Sequence, residues 1–297
     1  MNEKNILLGP MRIPFLLLTP ACVLLGFGSA VWTSGKVSAF HLFLAFIGAL
    51  AAHVSVNALN EYFDFKSGLD FKTIRTPFSG GSGTLPEKPE KAHFALITGL
   101  VAFAVICCVG IYFLYVKGLS LLPLGLLGLL IVFAYTIWIT RNPFLTLVAP
   151  GLGFGPFMVM GTDFVLTSAY SWTALFSSLI PFFLVSNLLL LNQFPDVDAD
   201  RSVGRRHYPI IVGRKKSAVL YGGFLLLAYV SIIAGVYFGC LPKASLIGLA
   251  PLVIAVPTCR GVFRHADNMT KLMPYMGLNV MIILATPVLV AAGLLVG

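Results

Sequence analysis

Three carboxylates close a strongly apolar segment at Asn192-Gln193-Phe194-Pro195-Asp196-Val197-Asp198-Ala199-Asp200-Arg201. Negative charge beside hydrocarbon is costly unless it is paired, hydrated or bound to cations. Residues four apart on an α-helix drift by only about 40°, so Asn192, Asp196 and Asp200 would line one face as a row of oxygen donors. A second polar row lies upstream, where His53, Asn57, Asn60 and Asp64 recur at helical spacing and Gly68 and Asp70 follow in what should be a loop. Of the eleven acids in the chain, six belong to these two stretches: Glu61, Asp64, Asp70, Asp196, Asp198 and Asp200.

Clustered carboxylates and amide oxygens suit a hard cation such as Mg2+, which keeps waters and shares its remaining positions with phosphate oxygens. Basic loops follow each row, and Lys72, Arg75, Arg141 and Arg201 are the candidates for holding the other phosphate oxygens. Two acidic rows facing each other across a cavity, with bases overhead, describe a diphosphate clamp. An apolar bundle beneath would hold a greasy tail, which points to a prenyl diphosphate. Metal and cationic side chains would stabilise the departing diphosphate, so that the allylic C–O bond ionises in a space shielded from water. Asp64, Asp70, Asp196 and Asp200 are the expected catalytic acids, with Asn57, Asn60 and Asn192 beside them. Asp198 lies off the row and takes a supporting place, and His53 reads as a packed core residue in preference to a group that binds an acceptor.

The composition demands a membrane protein. The 297 residues are 58% hydrophobic and 10% charged, with a mean hydropathy of +0.93, far from the soluble range. Nine apolar runs approach the roughly 20 residues a helix needs to cross a bilayer: 15–32, 40–62, 93–115, 119–139, 144–161, 172–194, 218–239, 244–258 and 273–296. They lack the alternation of membrane strands, so the fold class is all-α, a polytopic bundle of nine transmembrane helices forming a single domain over 1–297. Helices two and six each end in a polar row followed by a basic loop, which suggests two pseudo-repeated four-helix units plus a ninth helix.

With the amino terminus cytoplasmic, seventeen of the 20 Lys and Arg residues fall on that side and only Lys36, Lys117 and Lys243 on the other. This predicts an integral multi-pass protein, of the inner or plasma membrane if bacterial, with both rows facing the cytoplasm. It also accounts for the net charge of +9 through the lipid bilayer, without nucleic acid. Residues 1–14 read as a short polar lead with no catalytic signal. The five cysteines show no paired ligand spacing and imply neither a disulfide framework nor a zinc site.

The longest loop carries Ser79-Gly80-Gly81-Ser82-Gly83-Thr84. Its glycines fit either a phosphate-facing lid or a flexible linker, and the Lys-Ser/Thr ending of a Walker loop is absent. Arg141, in the tight turn after the fourth run, reads equally as a phosphate contact or an interface anchor. Gly151, Gly153, Gly155 and Gly161 read as close-packing positions and Asn279 as a hydrogen bond between helices.

At Asn57-Ala-Leu-Asn60-Glu-Tyr-Phe-Asp64-Phe-Lys-Ser-Gly68-Leu-Asp70 and Asn192-Gln-Phe-Pro-Asp196-Val-Asp-Ala-Asp200-Arg-Ser-Val-Gly204 the chain resembles the UbiA superfamily of intramembrane prenyltransferases. The five residues between Asp64 and Asp70 look most like the branch that prenylates 1,4-dihydroxy-2-naphthoate in menaquinone synthesis. The resemblance implies nine helices and Mg2+-dependent transfer of a polyprenyl chain to an aromatic acceptor. It implies that Asn60, Asp64 and Asp70 hold one Mg2+ and Asn192, Asp196 and Asp200 the other. Glu61 stands where the branch commonly has Asp, and His207 where many members have Thr. Tyr135 and Arg141 do not reproduce the Tyr-x-x-x-Lys spacing of hydroxybenzoate-type enzymes. Two other readings stay open: a related membrane prenyltransferase or terpene cyclase without this acceptor, and a cation-coupled transporter, which would place its acids near the bilayer midplane.

Overall fold

The computed structural model describes residues 4–297, and every element among them is helical. Among the described residues eight helices are long and apolar enough to cross a membrane: α1 (Leu8–Ser34), α2 (Ala39–Lys66), α3 (Pro89–Lys117), α5 (Pro143–Thr167), α6 (Trp172–Ser202), α7 (Arg214–Tyr237), α8 (Lys243–His265) and α9 (Met269–Val296). Between α3 and α5 lies the shorter apolar helix α4 (Leu119–Ala134). The run predicted over 119–139 therefore stops five residues early: the chain turns after Ala134 and re-forms a single 3₁₀ turn at Ile139–Arg141.

Both polar rows sit on continuous helix. In α6 the helix runs eight residues past the predicted end at 194 and through Pro195, so the second row is helical over its whole length. In α2 the helix reaches Lys66 and ends at Gly68, whose φ of 76° turns the chain into a 3₁₀ turn, Leu69–Phe71. Glycine adopts that left-handed backbone without a Cβ penalty. The turn brings Asp70 back toward the row that Asp64 ends.

Close backbone approach fixes these two helices. α2 packs most extensively on α3, where a Cβ on Gly99 would lie 2.7 Å from the Leu59 side chain and the Ser55 hydroxyl donates to the Gly99 carbonyl at 2.9 Å. α6 packs on α5 through a π-helical stretch, Gly153–Met160. Cβ atoms on Gly151 and Gly155 would collide with the Phe182 and Ser178 carbonyls of α6, whereas one on Gly153 would meet nothing within 4 Å. Only part of the glycine set predicted for packing is thus used for it.

A polar thread ties the second half together. Asn187 on α6 donates to the Tyr221 carbonyl of α7 at 2.8 Å, and the Tyr221 hydroxyl donates to Asn279 Oδ1 on α9 at 2.9 Å. Such bonds inside a membrane contribute about 0.6 to 2 kcal/mol each. Asn279 therefore does what its sequence position suggests.

The amino-terminal lead contributes more than its lack of a motif suggests. A helix over Lys4–Met11 overlaps the start of α1, and α1 kinks just after it at Arg12, whose φ of 52° lies in the left-handed region. The kink places Arg12 against the end of α2.

Candidate active site

A cavity of about 420 Å³ opens between the polar ends of α2 and α6. Asn57, Asn60, Asp64 and Asp70 line it from one side, and Asn192, Asp196 and Asp200 from the other. Below them the wall is apolar, with Phe113, Leu124, Val132, Phe157 and Val165 among its members. The two rows, some 130 residues apart in sequence, meet at the mouth of one greasy chamber.

Arg205 joins the rows directly. Its Nη1 lies 3.0 Å from Asp200 Oδ1, and its Nη2 pairs with Asp64 Oδ1. Burial opposes the guanidinium's charge, but Asp64 and Asp200 outweigh it and hold Arg205 above its ordinary value. His207 Nε2 stands 2.9 Å from the second oxygen of Asp200. Asp200 is thus oriented through both oxygens, and Asp64 through one.

The remaining acids carry the metal test. Asp70 Oδ2 and Asp196 Oδ1 are buried and have no hydrogen-bond partner among the described residues. Such orphaned anionic oxygens call for a cation. Burial, followed by the neighbouring Glu61 and Asp64 charges, pushes the Asp70 carboxyl up to about 7. Asn60 uses its amide nitrogen on Thr136 Oγ1 at 3.1 Å, which leaves its carbonyl oxygen as the atom for a ligand. Among the described residues no three His, Cys, Asp or Glu side chains converge into a ready-made metal cage. Mg2+ is bound through one or two carboxylates and completes its shell with water and substrate phosphates. The donor set is all oxygen, as a hard cation requires.

The four bases chosen from the sequence lie outside the cavity lining. Lys72 donates to Ser202 Oγ at 3.3 Å on the surface, Arg75 pairs with Glu87 at 3.4 Å, and Arg201 pairs with Asp198 at 3.7 Å. Arg141 is exposed in its turn. In their place the cavity mouth receives Arg12, Arg205 and His207. Arg205 was visible only as one of several bases after the second row, and Arg12 stood in a lead that carried no motif. Asn57 explains the latter's position, since its amide donates to the Met11 carbonyl at 3.0 Å. His53 is buried on the cavity wall, with Nδ1 2.9 Å from Thr19 Oγ1 and its ring edge-on to Phe154.

A helical membrane bundle with two acidic rows at one cavity mouth defines the class, and comparison with known proteins defines the group within it. By fold, the chain is similar to a UbiA homologue from Aeropyrum pernix K1, with a TM-score of 0.68 at 17% identity over 96% of this chain and 98% of the other. It is likewise similar to a UbiA homologue from Archaeoglobus fulgidus bound to DMAPP and Mg2+, with a TM-score of 0.65 at 13% identity over 97% and 99% of the two chains. By sequence, it is 27% identical over 202 residues to the 1,4-dihydroxy-2-naphthoate octaprenyltransferase of Bacillus subtilis, covering 67% of this chain and 63% of that relative. The UbiA prenyltransferase family model matches residues 19–292. The chain belongs to the UbiA prenyltransferase family and is an integral, multi-pass membrane protein.

Proposed function

We propose that this protein transfers a polyprenyl group from a prenyl diphosphate to an aromatic acceptor, with 1,4-dihydroxy-2-naphthoate as that acceptor. The observation that carries the reading is the meeting of both oxygen rows, bridged by Arg205, at the mouth of an apolar cavity. The Bacillus subtilis relative supports the choice of acceptor.

Asn60, Asp64 and Asp70 would hold one Mg2+ and Asn192, Asp196 and Asp200 a second. When bound, these cations supply positive charge to the oxygens of the departing diphosphate. Arg12 and Arg205 add fixed cationic donors at the same mouth, and their burial beside low-dielectric walls strengthens them. Asn57 orients the Arg12 segment, and His207 orients Asp200. The apolar walls hold the tail extended and exclude water while the allylic C–O bond breaks and its electron pair leaves with the diphosphate. A ring carbon of the acceptor then supplies the pair for the new C–C bond and sheds the substituent it carried.

Lys72, Arg75, Arg141 and Arg201 take a different place in this scheme, attracting the anionic donor toward the mouth from outside. The basic loops around the mouth support a cytoplasmic site. We read α4 and the turn after it as the fourth of nine crossings, with α2 and α6 at matching places in two four-helix units.

The test is diphosphate release by detergent-purified protein given geranylgeranyl diphosphate, with and without Mg2+ and the naphthoate, with products identified by mass. Mg2+-dependent release that requires the naphthoate and yields its prenylated product is the expected result. Cyclic hydrocarbon formed without any acceptor would replace the transferase reading with a cyclase.

A further inference from the structure

Glu61 is the one acid of the first motif that does not line the cavity. It is fully buried, and its carboxylate joins three segments. Arg12 reaches Oε2 with Nη2 at 3.0 Å and Nε at 3.2 Å. The Ser82 backbone N–H donates to Oε1 at 3.0 Å, and the Ser82 hydroxyl donates to the same oxygen. A buried carboxylate is retained only when its oxygens are filled in this way.

Ser82 belongs to the glycine turn. Gly80, Gly81 and Gly83 have φ of 86°, 70° and 72°, and Ser79, Gly80 and Gly81 line the cavity. A Cβ on Gly81 would lie 3.1 Å from Asp70 Oδ1 and 3.5 Å from Glu61 Oε2. The turn therefore lies against a proposed metal ligand, and its backbone borders the space assigned to the diphosphate. On its far side a second cavity, of about 410 Å³, shares Arg12, Phe78, Ser79 and Gly81 with the first.

We propose that Glu61 is a positioning residue for donor binding: it pins the glycine turn against Asp70 and holds Arg12 at the cavity mouth, so that turn and guanidinium meet the diphosphate already in place. This rests on the prenyl diphosphate reading above. It takes the glycine turn in its phosphate-facing reading. Asp at this position would set the carboxylate one methylene further back from Arg12 and Ser82. Preorganised donors of this kind act by removing the cost of arranging them at the moment of binding.

The experiment uses full-length protein in detergent with Mg2+. Tryptic cleavage after Lys72 or Arg75 is followed with and without inorganic diphosphate, and the KM for geranylgeranyl diphosphate is measured beside that for the acceptor. In the wild type, diphosphate should slow cleavage. In E61Q and E61D the loop should be cut faster, the protection should vanish, and the donor KM should rise about tenfold, the loss of one charged hydrogen-bond set, with acceptor KM unchanged. S82A, which removes the hydroxyl and keeps the N–H, should shift donor KM about threefold; it carries the test if the Glu61 variants fail to fold. Wild-type protection and donor KM in E61Q and S82A, or a lower Tm with donor KM unmoved, would overturn the positioning role alone. A wild type that is neither protected by diphosphate nor active on the donor would overturn the underlying reading instead.

Discussion

Arg205 carries the same charge as Lys72, Arg75, Arg141 and Arg201 and differs from all four in where the chain places it. Held between Asp64 and Asp200, it is largely buried and fixed by two carboxylates, whereas the other four are exposed and open to screening. Their contributions should separate accordingly. R205Q should lower turnover about 10²-fold, and D64N and D196N about 10²- to 10³-fold, the usual cost of one preorganised charge-stabilising group. K72A and R141A should stay within about threefold. Steady-state kinetics on protein with an unchanged thermal transition would check all five, and equal losses at Arg205 and Arg141 would contradict the placement. The acids were legible in the sequence because helical spacing turns a list of Asn and Asp into a face. The roles of Arg205, Arg12 and Glu61 were not, because their contacts depend on a left-handed kink at Arg12, on a glycine turn and on a loop return after α6, none of which has a period.

At the scale of elements, the second row is only as well placed as the contact between α5 and α6. Gly155 lies so close to the α6 backbone that any Cβ meets the Ser178 carbonyl, while Gly153, two residues earlier, has open space. G155V should therefore force the helices apart at a cost of about 1–3 kcal/mol, lowering Tm and turnover together. G153A should leave Tm unchanged or slightly higher, since Ala favours helix over Gly. Differential thermal unfolding in one detergent would compare them, and equal Tm values would remove Gly155 from its packing role. Hydropathy located nearly every helix in advance, yet it could not tell Gly151 and Gly155 from Gly153 and Gly161. It also overran α4, because 135–139 are apolar enough to continue a span that the backbone in fact leaves.

On the scale of the whole molecule, the cavity is a volume that no single helix encloses. Its lower wall draws on α2, α3, α4 and α5, and two of its members, Gly110 on α3 and Gly125 on α4, would meet nothing within 4 Å if they carried a Cβ. A side chain added there enters the chamber, not a neighbouring helix. If the prenyl tail lies in this space, G125F should shorten the tail that fits. We expect kcat/KM for geranylgeranyl diphosphate to fall at least about tenfold, with the value for geranyl diphosphate within about threefold, since a few misplaced methylenes in an apolar pocket discriminate on that order. G110F should act in the same direction from α3. The diphosphate end is untouched by either change, so Mg2+ dependence should be retained in both. Equal losses on the long and short donors would mean that the tail leaves the mouth by another route, between helices and into the lipid.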